Sequence, residues 1–582
     1  MSVLACGCRL VYYPYMASVV GKKRGNATYY YLVESARIDG KPRIVSQEYL
    51  GTAEELAAAM RGGGLGLPDR TQHKDFGAAA AAWGVLADLG VIQLIDEAAG
   101  PRRADAGASA GTYLALAALN RVVAPCSKLG FADWWAKTAA PRFTGVPGTV
   151  LDHRRFWDAM HSVTLEQLEQ ASGAIARRAV EAFGLDCSSV ALDMTNFATF
   201  IGTANGKAPI AQRGKAKQKR SDLRLVGLGL VVTRDGGIPL TWHAYPGNKP
   251  DVTQFPDMIT ALRGQYEAIT ASCGQQPADM TVVFDAGQNS EDNFTFLART
   301  GLGYIGSVPA SDCPDLTSLP ASARTIIDKD RFGGLTGYDT RRVVYGAGRR
   351  AILTHSPELH ESQALGFTGT TLAKAGEELG ELAATLARGK TRRPREKVQA
   401  EIEKITAKPW VRRVLTWQLS GDQPKDLRLT WHEDPAARAA LEEEQFGKHV
   451  LITGHDDWPA AEVVAGYRSQ SEAEFSFRQL KDTRVVSFSP MFHWTEHNIR
   501  VHVFTCVLAL QVAHLMRLKA RRAGLDMSVR VLLSELSDIQ ETVLLYHGDR
   551  GRPRAHRMLT DTTPVQAKLT DIFGLARYAP KR

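Results

Sequence analysis

The chain has 582 residues, of which 44% are hydrophobic and 23% are charged. This composition excludes wholesale disorder, and the length excludes a single small binding module and is a prior for about four domains. Lysine and arginine number 71 and aspartate and glutamate number 62, a difference of 71 − 62 = 9 positive charges. That excess favours a polyanionic partner without requiring one.

The sequence also suggests where the protein works. Seven cysteines spread over a long chain do not form the dense framework of a small secreted protein. The start of the chain lacks the charged and apolar pattern of an export signal. The longest apolar stretch, Val501 to Met516, contains two histidines and falls short of the ~20 residues that cross a bilayer. We therefore expect a buried helix in a soluble cytoplasmic protein with no membrane partner.

The N-terminal third predicts a small β unit followed by helices. Residues Tyr29 to Leu50 contain two β-rich runs around Asp39-Gly40, a dipeptide that favours a tight hairpin turn. We expect a β-rich unit over residues 1–70. From Phe76 to Phe183 apolar residues recur three and four positions apart, which predicts a helical region over residues 75–185.

Strands and helices alternate beyond residue 186. Short apolar strands are predicted at Ser189–Asp193, Leu223–Val232, Met280–Asp285, Gly303–Val308 and His449–Thr453. Helices are predicted at Asn293–Leu297, Ala460–Lys481 and Thr495–Lys519, and Gly236-Gly237 predicts a turn. The alternation indicates an α/β fold with a mixed sheet, formed by residues 186–308 and 447–520.

Residues 309–446 break this alternation. Short strands near Arg341 to Leu353 and Trp410 to Trp431 flank a long helical stretch, Thr371 to Ile405. We interpret this span as a β-rich and helical insertion. Residues 521–582 include several arginines and predict a basic, poorly ordered C-terminal tail; these arginines are Arg550, Arg552, Arg554 and Arg557.

Three acidic residues are candidates for catalysis. Asp193 and Asp285 each end a predicted strand, where α/β sheets commonly carry their sites. Glu474 lies in the predicted helix, where Tyr467, Gln470, Glu474, Arg478 and Lys481 recur at three- and four-residue steps and form one polar stripe. Three carboxylates from separate elements suffice to hold two hard cations for phosphodiester chemistry. Taken singly, each acid is better explained as a turn cap or a solvated helix residue.

Several separated motifs resemble, in order, those of bacterial insertion-sequence transposases of the DDE class, in the branch with a Tyr-x2-Arg-x3-Glu-x6-Lys signature. Asp193–Phe197, Asp285–Ser290 and Tyr467–Lys481 resemble the three catalytic blocks. Further similar segments are Tyr29–Gly51, Arg121–Lys128, Gly237–Leu240, Pro246–Asp251 and Pro490–Arg500. One position departs from the signature, because its arginine is Gln470 here; Arg468 and Arg478 lie nearby.

The resemblance implies an RNase H-like catalytic domain interrupted by an insertion. It implies that Asp193, Asp285 and Glu474 bind two Mg²⁺ ions, for which Mn²⁺ substitutes. Tyr467, Arg478 and Lys481 would meet DNA phosphates. The implied activity is binding of the terminal inverted repeats of the protein's own element, cleavage beside them and joining to target DNA. It also implies action in a bacterial cytoplasm, associated with the nucleoid. Because two DNA ends must be held together, we expect a homodimer on DNA. We expect end recognition in the N-terminal β and helical regions, because the catalytic helix carries too few base-reading side chains.

Two basic segments are further candidates. Arg213, Lys215, Lys217, Lys219, Arg220 and Arg224 crowd into one stretch that we expect to contact the DNA backbone, although a solvated loop is the alternative. Arg388 to Lys397 form a second cluster, which either meets DNA or only solubilises helices. Trp410, Trp417 and Trp431 either stack on a flipped base or, as is usual, pack a core. His493 is expected to be structural rather than catalytic.

Other functions stay open at this level. An RNase H-like nuclease would cut DNA without strand transfer, and a repressor derived from a transposase would bind DNA with a dead acidic site. A glycoside hydrolase could also use a pair of strand-end carboxylates, but it would act without a metal.

Overall fold

The computed structural model describes residues 16–25, 27–38, 41–60, 67–101, 104–215, 220, 222–273, 280–547 and 554–581. The Asp39-Gly40 turn and the cations Lys217, Lys219, Arg550 and Arg552 lie outside these residues. The chain divides into two compact units. The first comprises Met1–Lys74, Gln540–Asp561 and Ala579–Arg582, and the second comprises Asp75–Ile539 and Thr562–Tyr578.

The strands in chain order are β1 (Met16–Arg24), β2 (Ala27–Ile38), β3 (Lys41–Thr52), β4 (Arg70–Asp75), β5 (Ser189–Thr199), β6 (Arg224–Thr233), β7 (Pro239–Pro246), β8 (Thr281–Phe284), β9 (Gly303–Val308), β10 (Thr325–Ile326), β11 (Thr336–Val344), β12 (Ala347–His355), β13 (Leu415–Ser420), β14 (Arg428–Glu433), β15 (Lys448–Thr453), β16 (Gln540–Tyr546) and β17 (Arg554–Leu559).

The α-helices are α1 (Ala53–Met60), α2 (Gly77–Asp88), α3 (Val91–Ala99), α4 (Ala110–Val123), α5 (Phe131–Lys137), α6 (Ala140–Thr144), α7 (His153–His161), α8 (Leu165–Phe183), α9 (Asp251–Cys273), α10 (Glu291–Ala298), α11 (Pro314–Thr317), α12 (Pro357–Gly366), α13 (Ala373–Ala387), α14 (Arg395–Ile405), α15 (Pro409–Val414), α16 (Pro435–Gln445), α17 (Ala460–Arg468), α18 (Gln470–Leu480), α19 (Glu496–Arg522), α20 (Val529–Ser537) and α21 (Pro564–Phe573).

The first unit contains two three-stranded sheets, in the orders β1-β2-β3 and β17-β16-β4. The antiparallel pairing of β2 with β3 runs up to Ile38 opposite Lys41, as expected for a hairpin across the predicted turn. The C-terminal residues that we expected to be poorly ordered instead form α20, β16, β17 and α21. The expectation was wrong because α20 buries three leucines, and Thr563 and Gln566 form a capping box that starts α21.

The second unit is a mixed α/β fold around a nine-stranded sheet in the order β10-β11-β12-β15-β9-β8-β5-β6-β7. Strand β8 runs parallel to β5 and to β9, whereas β6 runs antiparallel to β5. Strand β6 is buried at every position because both faces of the sheet are covered. The helices α2 to α8 occupy the region that was predicted to be helical.

Helix α19 is the long apolar helix expected from the sequence. Among the described residues, α19 is the one unbroken helix that is long and apolar enough to cross a membrane. Of its most apolar stretch, however, 94% is buried inside the protein. Thr495 caps its start, and its side chain accepts a hydrogen bond from the Asn498 backbone N–H. Helix α19 is therefore a core helix of the second unit.

The span 309–446 differs from the expected insertion at its start. Strands β10, β11 and β12 belong to the nine-stranded sheet, because β12 pairs with β15 from Arg350 to His355. The segment between β12 and β15 has a core of its own, formed by helices α13 to α16 and the hairpin β13-β14. The predicted long helix over Thr371 to Ile405 is two helices, α13 and α14.

Candidate active site

Asp193 and Asp285 lie at equivalent positions of two neighbouring parallel strands. The last paired residues of β5 and β8 are Leu192 and Phe284, and each aspartate is the next residue. Neighbouring strands lie about 4.8 Å apart, and residues in register share one face of a sheet. The two carboxylates therefore emerge side by side from the centre of the sheet.

The prediction that Asp193 ends its strand was wrong. Strand β5 continues to Thr199, since it stays paired with β6 after β8 has ended. Asp285 does directly follow its strand, and its side chain caps the short turn Ala286–Gln288. Asp193 is half-buried and Asp285 is exposed, so this edge of β8 opens the pair to solvent.

Three donors fix the orientation of the Asp285 carboxylate. Its Oδ1 accepts hydrogen bonds from the Ala286 N–H at 2.8 Å, the Ser307 hydroxyl at 2.5 Å and the Tyr467 hydroxyl at 3.3 Å. Ser307 lies on β9, the strand beside β8, and Tyr467 lies on α17. Donors from β9, from α17 and from the turn after β8 thus converge on one carboxylate oxygen of Asp285.

The Tyr467 hydroxyl is held in its protonated form. Burial raises the pKa of Tyr467, and the negative charges of Asp285 and Glu474 raise it further. The hydroxyl, which the resemblance implies would meet a DNA phosphate, donates to Asp285 Oδ1. The His449 ring lies 6.5 Å from the Tyr467 ring. Burial lowers the pKa of His449, although the negative charge of Asp285 acts to raise it.

Helix α18 carries Glu474 to this face of the sheet. Gln470, in the first turn of α18, donates its side-chain amide to the Leu192 carbonyl at 2.9 Å, one residue before Asp193. Glu474 is four residues further and therefore on the same side of the helix, where it is exposed. At the end of α18 the Lys481 ammonium donates to the Thr195 hydroxyl at 2.8 Å. The helix is thus anchored on both sides of Asp193.

Glu472, the nearest alternative acid, faces away from the two aspartates. It is half-buried near Arg517 and Arg521, and its burial raises the pKa of its carboxyl. Its position agrees with the expectation that residues two apart on a helix point in different directions. Glu474 is the acid of α18 whose negative charge raises the pKa of Tyr467, the residue that donates to Asp285.

The predicted polar stripe is interrupted, because the helix expected over Ala460–Lys481 breaks at Ser469 into α17 and α18. Gln470 is buried, whereas Arg478 is exposed one turn beyond Glu474. The guanidinium of Arg468 lies 4.4 Å from the centre of the Phe332 ring. Arg478 is therefore the arginine that shares a helix face with Glu474.

The basic segment after β5 is mixed in character. Arg213 and Lys215 are exposed, and the Lys215 carbonyl accepts a hydrogen bond from Asn196, three residues beyond Asp193. Arg220 forms two 2.8 Å bonds with Asp222, which lower the pKa of that carboxyl to about 2. Arg224 is buried and donates to backbone carbonyls, so the expectation that it contacts DNA was wrong.

The carboxylates suit a hard divalent cation by chemistry, since Mg²⁺ prefers carboxylate oxygens. The strand register places Asp193 and Asp285 next to each other, so that both carboxylates could bind one such ion. Among the residues that the structure describes, however, no group of three or more His, Cys, Asp or Glu side chains lies close enough to hold one metal. The register places the two aspartates side by side, and Glu474 does not complete a three-ligand group with them among the described residues.

The remaining aromatic and histidine candidates pack in the interior or beside it. Trp417 and Trp431 pair across β13 and β14 and pack on the core of the inserted segment. Trp410 lies on α15, not on a strand, 5.1 Å from Phe446. His493 is buried, and burial together with Lys128 and Arg121 lowers its pKa to about 3.

Sequence reasoning missed the residues that support the carboxylates. Ser307 was a polar residue in an otherwise apolar strand, which was the available signal. Gln470 looked like a departure from a signature, yet it anchors α18 to β5. His449 gave no signal, because a lone histidine at the start of a strand is common.

No protein-family model and no curated protein matches this chain. Among solved structures, the chain is similar to a piggyBac transposase in a synaptic complex with hairpin DNA, determined by cryo-EM. The identity is 7% and the TM-score is 0.36, over 81% of this chain and 82% of that one. At this identity and score the likeness carries no information about the activity of this chain.

Proposed function

We propose that the protein is a DNA transposase of the DDE class, which binds the inverted-repeat ends of its own insertion sequence, cuts beside them and joins them to target DNA. The observation that carries the proposal is the register of β5 and β8, which brings Asp193 and Asp285 side by side under the helix that bears Glu474. The mixed sheet, with antiparallel strands on one side of β5 and parallel strands on the other, supports an RNase H-like core.

In this proposal Asp193 and Asp285 would hold Mg²⁺, or Mn²⁺ in its place, and Glu474 is proposed as a further ligand, although the structure does not bring it into a three-ligand group with them. Bound there, two such ions would supply activation of the attacking oxygen and stabilisation of the leaving oxygen of a phosphodiester. Ser307 and Tyr467 keep Asp285 in one orientation, so that its carboxylate is prepared before the ions bind. The attacking group is water in the cutting step and a 3′-hydroxyl in the joining step.

The cations around the carboxylates would hold the DNA backbone. Lys481 lies beside Thr195 on the face that carries Asp193, and Arg478 is exposed one turn from Glu474. Arg213 and Lys215 extend the positive charge along the loop after β5, followed by Lys217 and Lys219. Arg220 contributes less, since Asp222 neutralises it. Such contacts supply affinity and register but little sequence recognition.

The proposal includes a homodimer on DNA, since two ends must be held together. It also includes action on the bacterial nucleoid in the cytoplasm.

To test the proposed function, purified protein is incubated with labelled element ends, a supercoiled target plasmid and Mg²⁺. Joined products support the proposal. Cut but unjoined products identify a nuclease instead, and retarded but intact DNA identifies a repressor.

A further inference from the structure

Three large aromatic side chains are exposed on two adjacent loops of the second unit. Phe200 is 82% exposed, Phe492 is 74% exposed and Trp494 is 56% exposed. Phe200 directly follows β5, and the other two lie between α18 and α19. Exposed aromatic groups of this size on a rigid surface mark an interaction site. We call Phe200, Phe492, Trp494 and the neighbouring Lys207 the aromatic loop surface.

The two loops are joined to each other. Asn205 donates its side-chain amide to the Trp494 carbonyl at 2.7 Å, and the Glu496 N–H donates to the Lys207 carbonyl at 2.9 Å. The Lys207 ammonium lies 4.9 Å from the centre of the Trp494 ring. A cation held over an indole is a favourable contact that fixes the relative position of both groups.

Two buried arginines hold these loops in place. Arg224 donates to the carbonyls of Gly202, Asn205 and Ala208 in the first loop. Arg121 donates to the carbonyls of Ser489 and Pro490, just before Phe492, at 2.9 and 3.0 Å. The backbone of both loops is therefore held by hydrogen bonds from buried arginines, and the exposed aromatic rings project from this fixed backbone.

The sequence of the first loop is basic. From residue 194 to residue 221 it contains no aspartate or glutamate, and its described cations are Lys207, Arg213, Lys215 and Arg220, the last of which pairs with Asp222. Residues 483–495 also contain no acid. A protein partner of ordinary composition gains little from such a surface, whereas a nucleic-acid strand offers phosphates for the cations and bases for the rings.

The aromatic loop surface lies just beyond the end of the strand that carries Asp193. Phe197, four residues beyond Asp193, is buried, and its ring centre lies 5.7 Å from the Lys481 ammonium and 4.2 Å from the centre of the Phe488 ring. Phe200 is the first residue after β5 and is seven residues beyond Asp193, which corresponds to roughly 20 Å of extended chain. A DNA strand that is bound at the carboxylates and runs in this direction would reach the aromatic loop surface.

We infer that the aromatic loop surface binds unpaired bases of the DNA strand next to the cleavage site, with Phe492 and Trp494 stacking on successive bases. The inference rests on the proposed function for its choice of DNA, and it adds a site that recognises single-stranded or opened DNA rather than a duplex. Base–aromatic stacking tolerates every base, so the surface selects for unpaired structure and not for sequence.

The test compares two labelled DNA probes without Mg²⁺: a duplex with six unpaired thymines in one strand, and the fully paired duplex. The wild-type protein binds the unpaired probe more tightly. The double substitution Phe492→Ala with Trp494→Ala weakens binding to the unpaired probe about tenfold or more and leaves duplex binding nearly unchanged. The conservative pair Phe492→Tyr with Trp494→Phe keeps the preference, since both rings remain.

Matched controls separate stacking from general loss of apolar surface. Leu365→Ala with Val343→Ala removes two exposed apolar side chains elsewhere in the second unit and leaves both affinities unchanged. An unchanged preference in the alanine pair, or an equal loss on both probes, overturns the inference. A change in oligomeric state by light scattering, with DNA affinities unchanged, also overturns it, because the surface would then be a protein contact.

Cleavage distinguishes this inference from the proposed function. Wild-type protein that prefers the unpaired probe yet never cuts element ends contradicts the transposase assignment and leaves the stacking surface standing. Protein that cuts and joins element ends while the alanine pair retains full preference supports the transposase assignment and rejects the stacking surface.

Discussion

Asp285 is oriented by donors that come from β9, α17 and its own turn. The sequence placed Asp285 correctly after an apolar strand, but it could not show Ser307 as a partner, because that contact joins residues 22 positions apart. Asp193 was found as an acid in an apolar run, whereas its place inside β5 depends on which neighbouring strand ends first.

Removing the Ser307 hydroxyl tests the orientation of Asp285. We expect Ser307→Ala to lower Mg²⁺-dependent cleavage about 10- to 100-fold and to raise the Mg²⁺ concentration for half-maximal rate, as loss of a supporting hydrogen bond does at metal sites. Ser311→Ala is the control, since that exposed serine donates to Asp312 and is not among the donors to the Asp285 carboxylate. An unchanged Mg²⁺ dependence in Ser307→Ala would show that the hydroxyl does not orient the carboxylate.

At the scale of elements, the position of α18 decides whether Glu474 reaches the aspartates. Apolar spacing predicted a helix over Ala460–Lys481, and most of those residues are helical. The break at Ser469 was not predictable, because the spacing continues through it; the Gln470 bond to β5 accompanies it. The same limit explains β10 to β12, whose pairing with the main sheet is a contact between distant residues.

Gly237 tests how closely α18 packs on the turn after β6. Its φ is +63°, and an added Cβ would lie 3.0 Å from Glu472 Oε2, while its carbonyl accepts a bond from Ser476. We expect Gly237→Ala to lower the free energy of unfolding by about 1–3 kcal/mol in urea titrations. Gly202→Ala, where a Cβ meets nothing within 4 Å, should leave stability nearly unchanged. Equal stability of the two variants would contradict the close packing.

At the scale of the whole molecule, composition gave only a weak preference for nucleic acid. An excess of nine charges is small for 582 residues. The structure locates part of this charge. Arg213 and Lys215 are exposed, and the Lys215 carbonyl accepts a hydrogen bond from Asn196, whereas Arg224 is buried and donates to backbone carbonyls. The sequence of this basic segment could not predict that Arg224 is buried while Arg213 and Lys215 are exposed.

Salt dependence measures how many of these cations meet phosphates. Arg213→Gln with Lys215→Gln should reduce the slope of log affinity against log salt by about two, since each phosphate contact contributes about 0.9. Arg388→Gln with Lys390→Gln removes the same charge from exposed residues of the inserted segment. If both pairs flatten the slope equally, net charge and not local contact determines binding.

The most direct test of the central claim is Mg²⁺-dependent cleavage of element ends by Glu474→Gln beside Glu472→Gln. The two substitutions make the same chemical change two residues apart on α18. The charge of Glu474 acts on Tyr467, which donates to Asp285, whereas Glu472 lies near Arg517 and Arg521. The account predicts that Glu474→Gln abolishes cleavage and keeps DNA affinity, while Glu472→Gln still cuts. Robust Mg²⁺-dependent cutting by Glu474→Gln would contradict it.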